Sequence, residues 1–298
     1  MSTKTSSTKE RYRKIRKLRW FILPFSGLAA NSYAKVWSTK EIYGGALRQG
    51  CVPFLNCHAC PMAVSSCPIG ILQFHAAIKS WPYMLAGVLG TIGVLVGRAA
   101  CGWLCPFGWL QDIMYKIKTR KFTIPRSFRY LKYVSLVVLA IALPYFTEGH
   151  WFSKLCPWGT IIAGIPWGVW QPINPVYMEP VIPPGSFGFM YWLKIGVLAV
   201  FLVLFVFTKR PFCRTFCPLG AIYSLFNRIS LLQMKVDQEK CVDCGHCKTV
   251  CPVDIQINRE PMSAECLRCT ECTVCKNVRL TWGFRHVGES KPVAEKAA

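Results

Sequence analysis

Eight of the seventeen cysteines fall between residues 241 and 275, and their spacing is that of iron–sulfur ligands. The stretch reads Cys241-x2-Cys244-x2-Cys247-x3-Cys251-Pro252, then Cys266-x2-Cys269-x2-Cys272-x2-Cys275. Three thiolates at two-residue spacing wrap one face of a cubane. The fourth, followed by Pro, goes to the neighbouring cluster in two-cluster ferredoxins. A zinc site would show two Cys pairs across a long linker, closing one tetrahedron. Disulfides are poorly served by thiols crowded along one strand of chain. The pattern therefore predicts two 4Fe-4S clusters. Under the crossed rule Cys241, Cys244, Cys247 and Cys275 hold one, and Cys251, Cys266, Cys269 and Cys272 hold the other. The second run ends one residue short and lacks its Pro, so Cys275 is the least regular ligand of the eight.

A second pattern lies upstream. Four Cys-Pro-x-Gly tetrapeptides begin at Cys67, Cys105, Cys156 and Cys217, each followed by a short apolar or amphipathic helical pattern. Pro favours the first helical position, which puts each Cys near an N-cap, where the helix dipole favours a thiolate. Two of the motifs extend to Cys101-x3-Cys105-Pro and Cys213-x3-Cys217-Pro, one in each half of an apparent duplication. Two thiolates from each half complete an inner cluster of Cys101, Cys105, Cys213 and Cys217. Cys57-x2-Cys60, Cys67 and Cys156 form an outer set able to hold a further cluster, with Cys51 left over. Structural disulfides compete for that outer set, since the outer face of a bacterial membrane is oxidising.

These cysteines are positioned by an apolar, basic chain. The 298 residues are 52% hydrophobic with a formal charge of +22 and a mean hydropathy of +0.30. A nucleic-acid binder this basic would not carry such long apolar runs. Three runs approach or reach membrane-spanning length, Trp81 to Gly97, Tyr130 to Phe146 and Phe187 to Thr208, with a weaker fourth from Trp20 to Trp37. Lys132 and Lys194 are expected to snorkel to the interface. Lys and Arg concentrate in residues 1–19 and 98–132 and thin out in 147–188. The positive-inside rule then puts the N-terminus, the middle loop and the C-terminal ferredoxin in the cytoplasm. The basic N-terminus reads as a retained anchor, since no small-residue cleavage site follows it. The predicted architecture is a mainly α integral membrane protein of the bacterial or archaeal cytoplasmic membrane. Four transmembrane helices form two parallel repeats (1–230), followed by a two-cluster ferredoxin domain (236–283) and a disordered tail (284–298).

The segments Arg98-Ala-Ala-Cys101-Gly-Trp-Leu-Cys105-Pro-Phe-Gly-Trp-Leu-Gln-Asp112 and Cys213-Arg-Thr-Phe-Cys217-Pro-Leu-Gly220 resemble the NapH/MauN-type membrane ferredoxins. The resemblance covers nearly the whole chain and implies electron transfer, with other redox subunits of a membrane complex as partners. It leaves the terminal partner open, because members serve different reductases and maturation systems. The short Cys272-x2-Cys275 and the extra outer cysteines depart from the nitrate-reductase type.

Other chemistry is sparse. No histidine lies inside a predicted span, which argues against a b-type haem, and neither Cys-x2-Cys pair is followed by His as a c-type haem requires. No glycine-rich nucleotide fingerprint is present. Trp81, Tyr83, Trp151, Trp158, Tyr191 and Trp192 read as interfacial anchors where a quinone headgroup could also stack. Arg98 reads either as a headgroup anchor or as a cation offsetting cluster charge. The leading function is an integral-membrane subunit relaying electrons between the quinone pool or an outer partner and a redox partner. The alternatives are a copper-type metal reductase of oxidase maturation, with Cys51, Cys57 and Cys60 as a transient metal site, and a redox sensor.

Overall fold

A computed structural model describes residues 3–39, 41–170, 188–275 and 277–283. The expected tail 284–298 and the expected outer loop beyond residue 170 lie outside these. The body is helical and repeats five elements in order. The first half runs Thr3–Ala30, Pro68–Ala77, Tyr83–Val96, Ala99–Trp103 and Pro106–Met114. The second runs Arg126–Thr147, 157–170, Phe189–Phe207, Pro211–Thr215 and Pro218–Phe226. The halves interlock: Tyr83–Val96 packs on Pro218–Phe226, and Phe189–Phe207 packs on Pro106–Met114. Gly93 and Gly27 sit at close crossings, where a Cβ would press on Phe226 at 2.6 Å and on Pro106 at 2.9 Å.

Among the described residues two helices, Arg126–Thr147 and Phe189–Phe207, are long and apolar enough to cross a membrane. The helices at the other two expected spans do not follow their apolar runs. Tyr83–Val96 has 14 residues, about 21 Å at 1.5 Å per residue, and stops where Gly97 adopts a left-handed φ of 57°. The first helix starts earlier than the apolar run and ends at Ala30. There Asn31 turns its Nδ2 back to the Gly27 carbonyl at 2.9 Å and on to Asn56 at 3.0 Å. All four helices nonetheless expose large apolar side chains, including Phe21 (74%), Phe146 (79%) and Phe189 (76%). Exposure this extensive is rare on a soluble monomer.

Of the two lysines expected to snorkel, Lys132 does not. Lys132 is fully buried and ion-paired with Glu265. The stem of Lys194 lies against Gly164, 3.5 Å from the position of a Cβ there.

The C-terminal unit is held by an antiparallel strand pair, β1 (Leu232–Val236) and β2 (Val278–Trp282), in register from Leu232↔Trp282 to Val236↔Val278. Met234 and Val278 close a small apolar cluster with Ile257. Between the strands the two Cys-x2-Cys-x2-Cys loops take the same unusual backbone. Asp243 and Arg268, each one residue before the middle Cys, have φ 47°; Gly245 and Thr270, each one residue after, have φ 69° and 61°. A β-branched Thr in this region is a genuine outlier and is held there by its surroundings.

Candidate iron–sulfur sites

Every Cys-Pro-x-Gly cysteine is an N-cap in extended backbone with Pro at the head of the helix: Cys67, Cys105, Cys156 and Cys217 have ψ between 110° and 130°. The motif's Gly turns its N–H back toward the sulfur in all four. At Cys217 the Gly220 nitrogen lies 3.3 Å from Sγ. Donors so placed favour a thiolate.

The duplication brings Cys101, Cys105, Cys213 and Cys217 together. All four are buried, and every one of them is within electrostatic range of the other three. Gln111 adds a donor, with Nε2 3.2 Å from the Cys213 sulfur. In the C-terminal unit Cys251, Cys266, Cys269 and Cys272 converge in the same all-against-all way. Of the other ferredoxin set, Cys247 and Cys275 pack against the Met234 cluster. Cys241 is partly buried and Cys244 exposed. The outer set gathers around Cys57, which has Cys60, Cys67 and Cys156 as neighbours, and Cys156 also neighbours Cys67. Cys51, left over by ligand counting, lies beside Cys67.

These donor sets suit iron–sulfur clusters. None of the seventeen thiols is in a disulfide. Among the described residues no three His, Cys, Asp or Glu draw close enough to chelate one metal ion, which needs sulfurs about 4 Å apart at a Zn–S distance of about 2.3 Å. Sets of four thiols match the ligand number of a 4Fe-4S cluster. Burial, the largest effect, pushes the Cys101, Cys266 and Cys269 thiols up to about 11 and Cys105 to about 12. Four thiolates in such a place need the positive charge of bound metal.

One apolar core includes Cys67 and Cys156 of the outer set, Cys101, Cys105 and Cys217 of the inner set and Cys269 of the C-terminal unit, while Cys57 and Cys60 pack in a smaller cluster with Ala63 and Ala163. Aromatic rings pack in the same core. Phe107 and Trp158, each two residues after a motif cysteine, have ring centroids 5.3 Å apart. Phe152 and Phe216 stack at 5.9 Å. Trp158, expected as an interfacial anchor, is thus an internal packing group. Trp81, Tyr83 and Trp192 are exposed, as interfacial anchors would be.

Buried cations surround the inner set. Arg98 has no exposure and donates to Glu265, the Ala264 carbonyl and the Cys213 carbonyl, so it is no headgroup anchor. Sequence reasoning missed its counterpart. Arg210, 1% exposed, grips Asp112 through two nitrogens at 2.6 and 2.7 Å. The signal was there to be read, since each Arg precedes the first cysteine of its Cys-x3-Cys-Pro by three residues. Arg19, from the first helix, bridges Asp112 at 2.9 Å and Glu271 at 2.6 Å. Burial opposes ionisation of Asp112 and Glu265, but Arg210 with Arg19, and Arg98 with Lys132, hold both carboxyls below their ordinary values.

A duplicated helical body joined to a two-loop cysteine unit defines a ferredoxin-type iron–sulfur protein. A family model described as a 4Fe-4S binding domain matches twice, at residues 79–125 and 189–237, once in each half. A second 4Fe-4S binding domain model matches residues 234–256. An uncharacterized protein of Methanocaldococcus jannaschii is 30% identical over 231 residues, covering 73% of this chain and 86% of its own length. The ferredoxin-type protein NapH of Haemophilus influenzae is 27% identical, covering 86% of this chain and 85% of its own. The methylamine utilization ferredoxin-type protein MauN of Methylorubrum extorquens is 25% identical, covering 77% and 71%. No solved structure matches. The chain belongs to the NapH/MauN-type ferredoxin family and binds 4Fe-4S clusters.

Proposed function

We propose that this chain is an integral-membrane electron relay with four spans, whose cysteine sets hold a line of 4Fe-4S clusters. The ligands are Cys57, Cys60, Cys67 and Cys156 in the outer site, and Cys101, Cys105, Cys213 and Cys217 in the inner. The C-terminal unit, 236–283, uses Cys251, Cys266, Cys269 and Cys272 for the cluster nearest the body, and Cys241, Cys244, Cys247 and Cys275 for the exposed one. The observation that carries the reading is the shared core. Members of three cysteine sets belong to one apolar core that also holds the Phe107–Trp158 and Phe152–Phe216 ring pairs, and Arg98 and Arg210 are buried beside the inner set. When bound, such clusters supply one-electron carriers at successive steps. The protein's own part is to supply thiolates, aim N–H groups at sulfur, exclude water with Phe107, Phe152, Trp158 and Phe216, and offset charge with guanidiniums.

Membrane insertion is supported by the two long apolar helices and by the apolar side chains left exposed on Thr3–Ala30 and Tyr83–Val96. Arg19 ties the first helix to Glu271 of the C-terminal unit, which supports one side for the N-terminus and the ferredoxin, the basic, cytoplasmic side. Partners are other redox subunits, with quinone as a candidate donor or acceptor. The test is cofactor content: protein purified anaerobically should carry about 16 iron and 16 acid-labile sulfur per chain. Half that content would confine clusters to the C-terminal unit and end the relay reading.

A further inference from the structure

Arg98 and Arg210 occupy equivalent places in the two halves, and each reaches across into the other half. Arg98 Nη2 donates to the Cys213 carbonyl at 3.2 Å, and Arg210 Nη1 donates to the Cys101 carbonyl, also at 3.2 Å. The crossing extends to the motif glycines. A Cβ on Gly108 would lie 2.9 Å from Arg210 Nη1, and one on Gly220 would lie 3.3 Å from Arg98 Nη2. The Gly of each inner Cys-Pro-x-Gly thus leaves room for the opposite half's guanidinium. Arg210 holds a left-handed backbone (φ 44°, ψ 56°), a conformation that persists at a non-glycine only where the surroundings enforce it.

The two guanidiniums also face two cysteine sets at once. Arg98 is in electrostatic range of Cys101 and Cys213 on one side and Cys266 on the other. Arg210 is in range of Cys213 on one side and Cys269 on the other. Both are therefore lodged between the inner set and the nearer set of the C-terminal unit. Their carboxylate partners do not cancel them evenly, since Glu265 alone faces both Arg98 and Lys132.

We propose that Arg98 and Arg210 form a paired positioning element that sets the reduction potentials of these two neighbouring sites and fixes their separation. The proposal rests on the reading of both sets as cluster ligands. Uptake of one electron adds a negative charge to an already anionic site, and a buried cation alongside favours that reduced form. An Arg stays protonated throughout, so the electron moves with no proton gained or lost at the clamp. The reductant or oxidant is the redox partner in the cell and an external mediator in a titration.

The experiment is a mediated redox titration of the full-length, anaerobically purified chain in detergent, followed by the spectroscopic signals of the individual clusters, with iron content measured alongside. Arg210→Gln should lower the reduced-to-oxidised ratio of the inner signal at least tenfold at fixed ambient potential, a fall of about 59 mV for a one-electron couple. Asp112→Asn removes an anion that faces Cys213 and should move the same midpoint upward. Arg210→Lys keeps the charge and should stay near the parent value. A purely structural role would change iron loading and leave midpoints alone. Iron-replete Arg210→Gln with an unmoved midpoint overturns the proposal, as does a shift of the same sign in Arg210→Gln and Asp112→Asn. Should Arg210→Gln fail to assemble, an unmoved midpoint in Asp112→Asn overturns it instead. Parent protein lacking iron in these two sites would refute the cluster reading, a separate result.

Discussion

Arg19 offers the sharpest test of how the C-terminal unit is held to the body. Its guanidinium, 3% exposed, donates to Glu271, Asp112 and the Gly102 carbonyl at 2.6, 2.9 and 2.8 Å. Arg19→Met keeps most of the stem and removes the charge and all three bonds. An exposed pair would be worth about 0–1 kcal/mol, but taking one partner from a buried pair costs about 3–5 kcal/mol. Asp112 keeps Arg210 and Glu271 keeps a further interaction, so about 3 kcal/mol, the low end of that range, is appropriate. That corresponds to a shift of about 100-fold in the docking equilibrium. The unit stays docked on average, because Arg98 still pairs with Glu265 and the Trp103 indole still donates to the Arg268 carbonyl. Its open population should nevertheless rise by that factor. Hydrogen exchange at residues 263–275 reads this directly: about 100-fold faster there, unchanged in Tyr83–Val96, and intermediate for Arg19→Lys. Less than a threefold change in Arg19→Met would show that the contact behaves as a surface pair and that the reasoning from burial is wrong.

Three further outcomes are expected. Replacing either Cys105 or Cys217 by Ser should abolish the same cluster signal while sparing those of the C-terminal unit; signals intact in both variants would dissolve the inner site. Gly102→Ala sets about 1 kcal/mol of helix propensity against a Cβ 2.5 Å from the Leu267 carbonyl oxygen. The clash, at about 1–3 kcal/mol, should win, so a raised melting temperature would contradict this close docking. Reporters fused after Lys118 and after Gly149 should read as cytoplasmic and external, respectively; a cytoplasmic reading after Gly149 would break the four-span topology.

Much of the chemistry was legible along the chain because it is local. Ligand spacing in a Cys-x2-Cys-x2-Cys loop is dictated by the reach of a few residues around a cubane. Likewise a Cys-Pro pair commits its Cys to an N-cap whatever surrounds it, since Pro has no N–H to give and a preset φ. The duplication was also visible, and with it the expectation that Cys101, Cys105, Cys213 and Cys217 come near one another, as they do. Span lengths were less secure. Apolar runs register burial or lipid, while helix ends are set by single residues such as Gly97 and Asn31.

What only the tertiary structure decided is how the sets lie relative to one another. Hydropathy assigned Cys105 and Cys156 to opposite sides, yet the helices that follow them turn inward until Phe107 meets Trp158. Neither residue announces that contact, because a Trp or Phe beside an apolar run looks the same whether it faces lipid or core. The buried charges follow the same logic. Arg19, Arg98, Lys132 and Arg210 read along the chain as basic residues belonging near water. Their partners, Glu271, Glu265 and Asp112, are 93 to 252 positions away. A charge can be buried only where a partner of opposite sign is already held, and that condition exists only once both halves and the C-terminal unit have folded against one another.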